Sequence, residues 1–254
     1  MSETVQYRIF EEGYGEICLN RPDKHNAISE KMTEAFKSRL EEAKRDAVKF
    51  LIITGEGEKF FSAGGDLNNL HGDLSPDEAF SKLYMMKEVL YEIMSFPVPT
   101  ICLLNGDAIG GGCEIATACD IRIAKETSKF GFVQTNLGIL PGWGGGALLY
   151  EKVNPSFALQ WLMEGSIFDA NYLKECGWLH TVVSKAVWDN RDELLQAYIR
   201  KSYDQMKILK SQYKKKLSNL KLSLLMDEEV RNCANLWDSE EHKKAVQQFF
   251  ARKE

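Results

Sequence analysis

Two glycine-bracketed segments carry the residues best suited to chemistry in this chain of 254: Phe60-Phe61-Ser62-Ala63-Gly64-Gly65-Asp66-Leu67 and Asn105-Gly106-Asp107-Ala108-Ile109-Gly110-Gly111-Gly112-Cys113-Glu114. Backbone without side chains lets a ligand approach the peptide N–H groups closely, and two such turns can aim two donors at one oxygen. That is the pattern of an oxyanion hole for a carbonyl. Directly after the second turn, Glu114 opens the helical run Ile115-Ala116-Thr117-Ala118-Cys119, which sets a carboxylate beside the polarised group.

The elements that must position these residues are legible around them. Each turn follows an apolar run that reads as a buried strand, Phe50-Leu51-Ile52-Ile53-Thr54 for the first and Thr100-Ile101-Cys102-Leu103-Leu104 for the second. Residues 5–20 read as a hairpin broken at Glu11-Glu12-Gly13-Tyr14-Gly15. Ser29 is a candidate N-cap, with Met32, Phe36, Leu40 and Ala43 at near-helical spacing to about Asp46. The β-α-β order predicts a parallel crossover. Ser75-Pro76-Asp77-Glu78 reads as a capping box with proline at the first helical position, opening a helix to about Met94 that Phe96-Pro97-Val98-Pro99 ends. A short strand at Ile121-Arg122-Ile123-Ala124 precedes Lys129-Phe130-Gly131. Beyond about residue 145 the pattern is predominantly helical, with Asp189 to Lys216 and Asp227 to Arg252 reading as helices.

Composition bounds the rest. A chain that is 44% apolar and 27% charged is ordinary for a globular protein with an ample core. The net charge of −5 recruits neither nucleic acid nor an anionic membrane. The run Lys207, Lys210, Lys214, Lys215 and Lys216, interleaved with Ile208, Leu209, Tyr213 and Leu217, suits the solvated face of a surface helix. Six cysteines show neither a CxxC pair nor metal spacing with the four histidines, as expected of reduced thiols in a cytoplasmic protein. The N-terminus shows no signal peptide, and no apolar stretch is long enough to span a membrane.

Further strings lie in order around the two turns: Asn20-Arg21-Pro22 with Asn26-Ala27-Ile28, Ala118-Cys119-Asp120, Phe130-Gly131, and Gly138-Ile139-Leu140-Pro141-Gly142-Trp143-Gly144-Gly145. With them the chain resembles the crotonase family, also called the enoyl-CoA hydratase/isomerase superfamily, over about its first 150 residues. Ala245 to Lys253 echoes the family's C-terminal helix. The resemblance implies an α/β fold, the ClpP-like spiral of ββα units, with residues 1–195 as the core and 196–254 as a C-terminal helical region. It implies a homotrimer or a dimer of trimers. No metal or separate cofactor is implied, because coenzyme A enters as part of the acyl-CoA substrate.

Carried onto this sequence, the family's oxyanion donors are the N–H groups of Gly65 and Gly111, which would hold a thioester enolate. Glu114 falls on the first of the two glutamates used by family hydratases. The second, in a Phe-Gly-x-x-Glu pattern, is replaced by Gln134. An amide cannot deliver a proton and be regenerated, so the departure argues against two-glutamate hydration and against simple enoyl isomerisation. Decarboxylation of a malonyl-type thioester needs no base to remove an alpha proton, and a neutral amide would not repel the substrate carboxylate. The strings around Gln134, Asp66 and Cys119 resemble the ethylmalonyl-CoA decarboxylase branch most closely.

For CoA, the resemblance implicates Lys24, Ala27, Ala63, Asp66 and Leu67, with Phe249 and Arg252 approaching from a neighbouring subunit. Lys24 suits a phosphate contact or an ordinary loop position equally, Trp143 either walls the acyl pocket or packs, and Phe249 suits either role or the helix core. His71 and Asp66 fit a loop histidine and a helix cap. Two other functions compete with decarboxylation: enoyl-CoA hydration through Glu114 with a non-standard second acid, and CoA binding with weak or no turnover. Dinucleotide binding at Gly106 and Gly110 to Gly112 lacks the G-x-G-x-x-G spacing.

Overall fold

The computed structural model describes residues 3–66, 74–217 and 219–251. In chain order the elements are β1 (Val5–Ile9), β2 (Gly15–Leu19), α1 (Glu30–Arg45), β3 (Leu51–Gly55), β4 (Phe60–Ser62), α2 (Pro76–Ser95), β5 (Thr100–Leu104), β6 (Asp107–Ile109) and α3 (Gly111–Ala118). They continue through β7 (Ile121–Lys125), β8 (Lys129–Gly131), a 3-10 turn (Gln134–Leu137), α4 (Gly145–Lys152), α5 (Pro155–Glu164), β9 (Ile167–Asp169), α6 (Ala170–Glu175) and β10 (Thr181–Val183). The helices α7 (Lys185–Trp188), α8 (Arg191–Ile199), α9 (Tyr203–Lys216), α10 (Asn219–Leu236) and α11 (Glu240–Ala251) complete them.

β1 and β2 form the expected antiparallel hairpin, with Val5 opposite Leu19, and β2, β3, β5, β7 and β10 follow as parallel neighbours in one six-stranded sheet. A second sheet orders β4-β6-β8-β9, the last pair antiparallel. The pairs β3–β4, β5–β6 and β7–β8 each place one strand in the large sheet and the next in the small one, and each is followed by a helix. This is the spiral of ββα units. The continuous apolar runs of β3 and β5 exist because both faces of the large sheet are covered. Leu51 and Ile53 face one buried cluster with Phe36 and Leu90 of α1 and α2, while Ile52, Ile101 and Leu103 face a second with Leu195 and Met206 of α8 and α9.

Local signals place the helix ends. Ser29 accepts from Met32 N–H at the start of α1, and Ser75 and Glu78 close a complete capping box on α2. Residues 227–251 are interrupted rather than one helical run: α10 starts at Asn219, and the chain turns at Trp237 before α11. Two short strands, β9 and β10, also break the helical stretch beyond 145. The lysine run on α9 needs a correction as well. Lys210 is buried and bonds both oxygens of Asp120, at 2.7 and 2.5 Å, and Lys214 reaches the Ser95 carbonyl at 2.6 Å. All six cysteines are free. Among the described residues no helix is long and apolar enough to cross a membrane.

Candidate active site

Parallel pairing of β4 with β6 brings their exits side by side, and the two glycine turns meet there. A Cβ on Gly64 would lie 2.8 Å from the Gly111 nitrogen, so the turns touch through bare backbone. Gly111 opens α3, where the first N–H groups have no intrahelical acceptor. Among the described residues, neither Gly65 N–H nor Gly111 N–H is engaged by a carbonyl or side chain. Both amides border one cavity of about 330 Å³. Gly111 must be glycine for a further reason: a Cβ there would stand 2.1 Å from the Trp143 ring, which walls the same cavity.

Glu114 lies one turn into α3, 2% exposed, and lines the cavity. Its Oε2 accepts from Trp143 N–H at 2.9 Å and Gly145 N–H at 3.0 Å; its Oε1 accepts from Gln134 Nε2 at 3.0 Å and, at a long 3.4 Å, from Gly142 N–H. Close approach is possible because Gly145 has no side chain, whose Cβ would fall 2.3 Å from Glu114 Cβ. Burial pushes the Glu114 carboxyl up, opposed by these four N–H donors. All four donate and none accepts, so the geometry suits the ionised form.

Gln134 opens the 3-10 turn and is 8% exposed. Its amide nitrogen is committed to Glu114, which leaves the buried Oε1 without a partner. The reverse amide orientation would set two oxygens against each other, so the ionised glutamate fixes which end faces the cavity.

The far end of α3 is anchored as firmly. Arg122 donates to the carbonyls of Ala116, Cys119 and Trp178, and Lys152 donates to Cys119 at 2.6 Å. Burial, then the neighbouring Arg122 charge, lowers Lys152 to about 7.

Of the other residues implicated by resemblance, Ala63, Trp143 and Phe249 line the cavity. Lys24 is exposed, and it, Ala27 and Asp66 are not part of the lining. The Asp66 carboxylate meets Arg21 at 3.0 Å, and Arg21 also holds the Ala27 carbonyl. Leu67, His71 and Arg252 lie outside the described residues. Phe249 borders the cavity of its own chain. Sequence reasoning missed Leu83, Cys233 and Trp237, which also line the cavity, and His25 of the Lys24-His25-Asn26-Ala27 stretch that the resemblance assigns to CoA lines it too. His25 stacks on Phe60 with ring centroids 4.3 Å apart and has a left-handed backbone (φ 53°) that no motif announces. Cys233 and Trp237 arrive on α10, far away in sequence. Among the described residues, no three His, Cys, Asp or Glu side chains are grouped to hold a metal.

Comparison with known proteins gives this geometry a context. The model of the enoyl-CoA hydratase/isomerase family matches residues 10–254. A crotonyl-CoA hydratase from Syntrophomonas wolfei is 37% identical over 174 residues, covering 68% of this chain and 66% of that protein. An ethylmalonyl-CoA decarboxylase from Xenopus tropicalis is 34% identical over 165 residues, covering 65% of this chain and 54% of the relative, about half its length. An enoyl-CoA hydratase structure from Bacillus halodurans superposes with a TM-score of 0.87 over 97% of this chain and 100% of the other, at 21% identity, a likeness of fold.

Proposed function

The chain belongs to the enoyl-CoA hydratase/isomerase family, and from that premise we propose that it decarboxylates a short malonyl-type CoA thioester, of the ethylmalonyl or methylmalonyl kind. One observation carries the reading: among the described residues Glu114 is the single carboxylate bordering the cavity, and its neighbour is the neutral Gln134. In this reaction the bond from Cα to the substrate carboxylate breaks, CO₂ leaves, and the electron pair moves onto the thioester oxygen. The Gly65 and Gly111 amides receive that charge, and one such donor is worth ~3–4 kcal/mol in the transition state. Among the described residues the walls bring no lysine or arginine: Leu83, Ile139, Leu140, Trp143 and Trp237 are apolar. A carboxylate placed among them loses its hydration, and its charge is relieved only as CO₂ departs and the electron pair moves onto the thioester oxygen. The enolate then takes a proton at Cα from a water whose other hydrogen is bonded to Glu114 Oε1, the oxygen whose contact with Gly142 is long, and the hydroxide left behind combines with the departing CO₂ as bicarbonate.

A second reading, hydration of a short enoyl-CoA, is favoured by the unpartnered Gln134 Oε1, which can accept from a water held jointly with Glu114. We further propose a trimer or a dimer of trimers as the working assembly. The reaction is tested by incubation with ethylmalonyl-, methylmalonyl-, malonyl- and crotonyl-CoA, following products by mass. Loss of CO₂ from the branched malonyl thioesters is expected. Rapid addition of water to crotonyl-CoA with malonyl-type thioesters untouched would replace the first reading by the second, and no turnover with tight CoA binding would replace both by a binding role.

A further inference from the structure

Where α10 crosses the turn ahead of α4, it closes one side of the cavity. Its Met226 packs on Gly144, where a Cβ would lie 2.6 Å from Met226 Cε, and its Glu229 accepts from Gly146 N–H at 3.2 Å and Ala147 N–H at 2.5 Å. One turn further on, Cys233 meets Gly142, on which a Cβ would lie 2.8 Å from Cys233 Sγ and 3.3 Å from Leu83 of α2. Cys233 is buried, and its thiol donates to the Leu140 carbonyl at 3.1 Å, which fixes the orientation of the side chain. With the helix seated by Met226 and Glu229 and the thiol tethered to Leu140, this wall does not retreat.

Gly142 connects the wall to the chemistry. Its N–H is the long, 3.4 Å donor to Glu114 Oε1, so Leu83 and Cys233 close the cavity on the side of that oxygen. A malonyl-type Cα carries a carboxylate and an alkyl branch, and the ionised Glu114 repels only the first. The branch therefore takes the place beside Gly142, against Leu83 and Cys233. The thiol suits an apolar neighbour, because burial, then the Glu114 charge, pushes it up and keeps it neutral at physiological pH. Leu83 is bulkier, as is Trp237, which stands one turn beyond Cys233 and lines the same cavity. Cys233 is thus the position in this wall where a single heavy atom decides how far a branch can reach.

We propose that Cys233 is a specificity-determining residue for the acyl group, its sulfur forming the floor against which a methyl or ethyl branch ends. The inference rests on the reading above of a CoA thioester held at Gly65 and Gly111. A close-packed wall does not yield to an added methylene, and one methylene too many or too few in an apolar pocket changes recognition by ~10–200-fold.

The test reads binding and needs no turnover. Acetyl-, propionyl-, butyryl-, valeryl- and hexanoyl-CoA are the decarboxylation products of malonyl-CoA and its alkyl-branched relatives, and each keeps the alkyl group of its parent. Titration calorimetry of the full chain should show affinity rising to a maximum at propionyl- or butyryl-CoA and falling by about tenfold or more beyond it. Cys233→Ala should move the maximum to a longer chain and Cys233→Leu to a shorter one. Cys233→Ser keeps both the size and the donor to Leu140, and should leave the maximum in place. A wild-type affinity that climbs steadily to hexanoyl-CoA, a maximum unmoved in Cys233→Ala, or one that Cys233→Ser moves as far as Cys233→Ala would each overturn the assignment. If the bulkier Cys233→Leu does not fold, the alanine and serine variants still decide. Malonyl-type thioesters left intact while the maximum moves would remove decarboxylation and leave the Cys233 floor standing, whereas a wild type that binds none of the saturated thioesters would remove both.

Discussion

Replacing Gln134 by glutamate puts the electrostatics of the site under direct strain. Gln134→Glu exchanges the N–H that Glu114 Oε1 accepts at 3.0 Å for a carboxylate oxygen. With charge centres about 4 Å apart and an effective dielectric constant near 20, repulsion between the two ionised groups is ~4 kcal/mol. At 1.36 kcal/mol per pKa unit that is about three units, enough to lift the new carboxyl from about 4.3 to about 7. The sign follows from the raised folded-state value. The variant is close to wild type in stability below the unfolded value of about 4.3, where the new carboxyl is protonated in both states and donates its O–H to Glu114. It loses stability as pH rises, and the deficit levels off near 4 kcal/mol above about pH 7. For a chain of this size that is ~10 °C in melting temperature. Thermal melts of both proteins from about pH 4.5 to pH 8.5 read this widening gap directly, with no substrate needed. The same variant should gain crotonyl-CoA hydration by ~10²–10⁴ through its new acid, and lose decarboxylation as the acid ionises. A gap in melting temperature that stays constant across that range would refute the pairing of Gln134 with Glu114 and the reasoning built on it.

Gly111→Ala drives a methyl group into the Trp143 ring, so it should cost ~1–3 kcal/mol in thermal stability and ~10²–10³ in kcat with every substrate; a folded variant at near wild-type kcat would remove the oxyanion assignment. Lys210→Met strands the buried Asp120 and should destabilise by ~3–5 kcal/mol in denaturant titrations, whereas adding Asp120→Asn should recover much of the loss. Sedimentation at micromolar concentration should report a trimer or hexamer; a stable monomer would contradict the proposed assembly.

The parts of the site legible in sequence are those whose chemistry is local. The glycine turns sit at strand ends, and the apolar runs of β3 and β5 mark those strands, so Gly65, Gly111 and Glu114 could be placed before any coordinate. Gln134 was found as a departure from a motif, although which of its two amide ends meets Glu114 depends on the glutamate's charge. What escaped was long-range packing. Helical periodicity tells which face of α9 or α10 is apolar, but not what lies opposite it. Lys210 therefore read as solvated until Asp120, 90 residues away, supplied its partner. Cys233, Trp237 and Glu229 gave no signal for the same reason, since their roles arise from where α10 crosses α4. The placement of Phe249 within its own chain depends on the turn after Trp237, which no proline or glycine marks.

The cavity is assembled from segments far apart in the order of synthesis. The Gly65 and Gly111 turns and the Glu114 cradle are all translated by residue 145, whereas Cys233, Trp237 and Phe249 come from α10 and α11. At ~5–20 residues per second, Phe249 follows that cradle by ~5–20 s. During that interval a nascent chain can form its spiral and carry both amides without an enclosed acyl pocket. Binding of the proposed thioester would thus begin only when the later helices close over the turns, and a ribosome stalled between α4 and α10 would display the two glycine turns with no chamber around them.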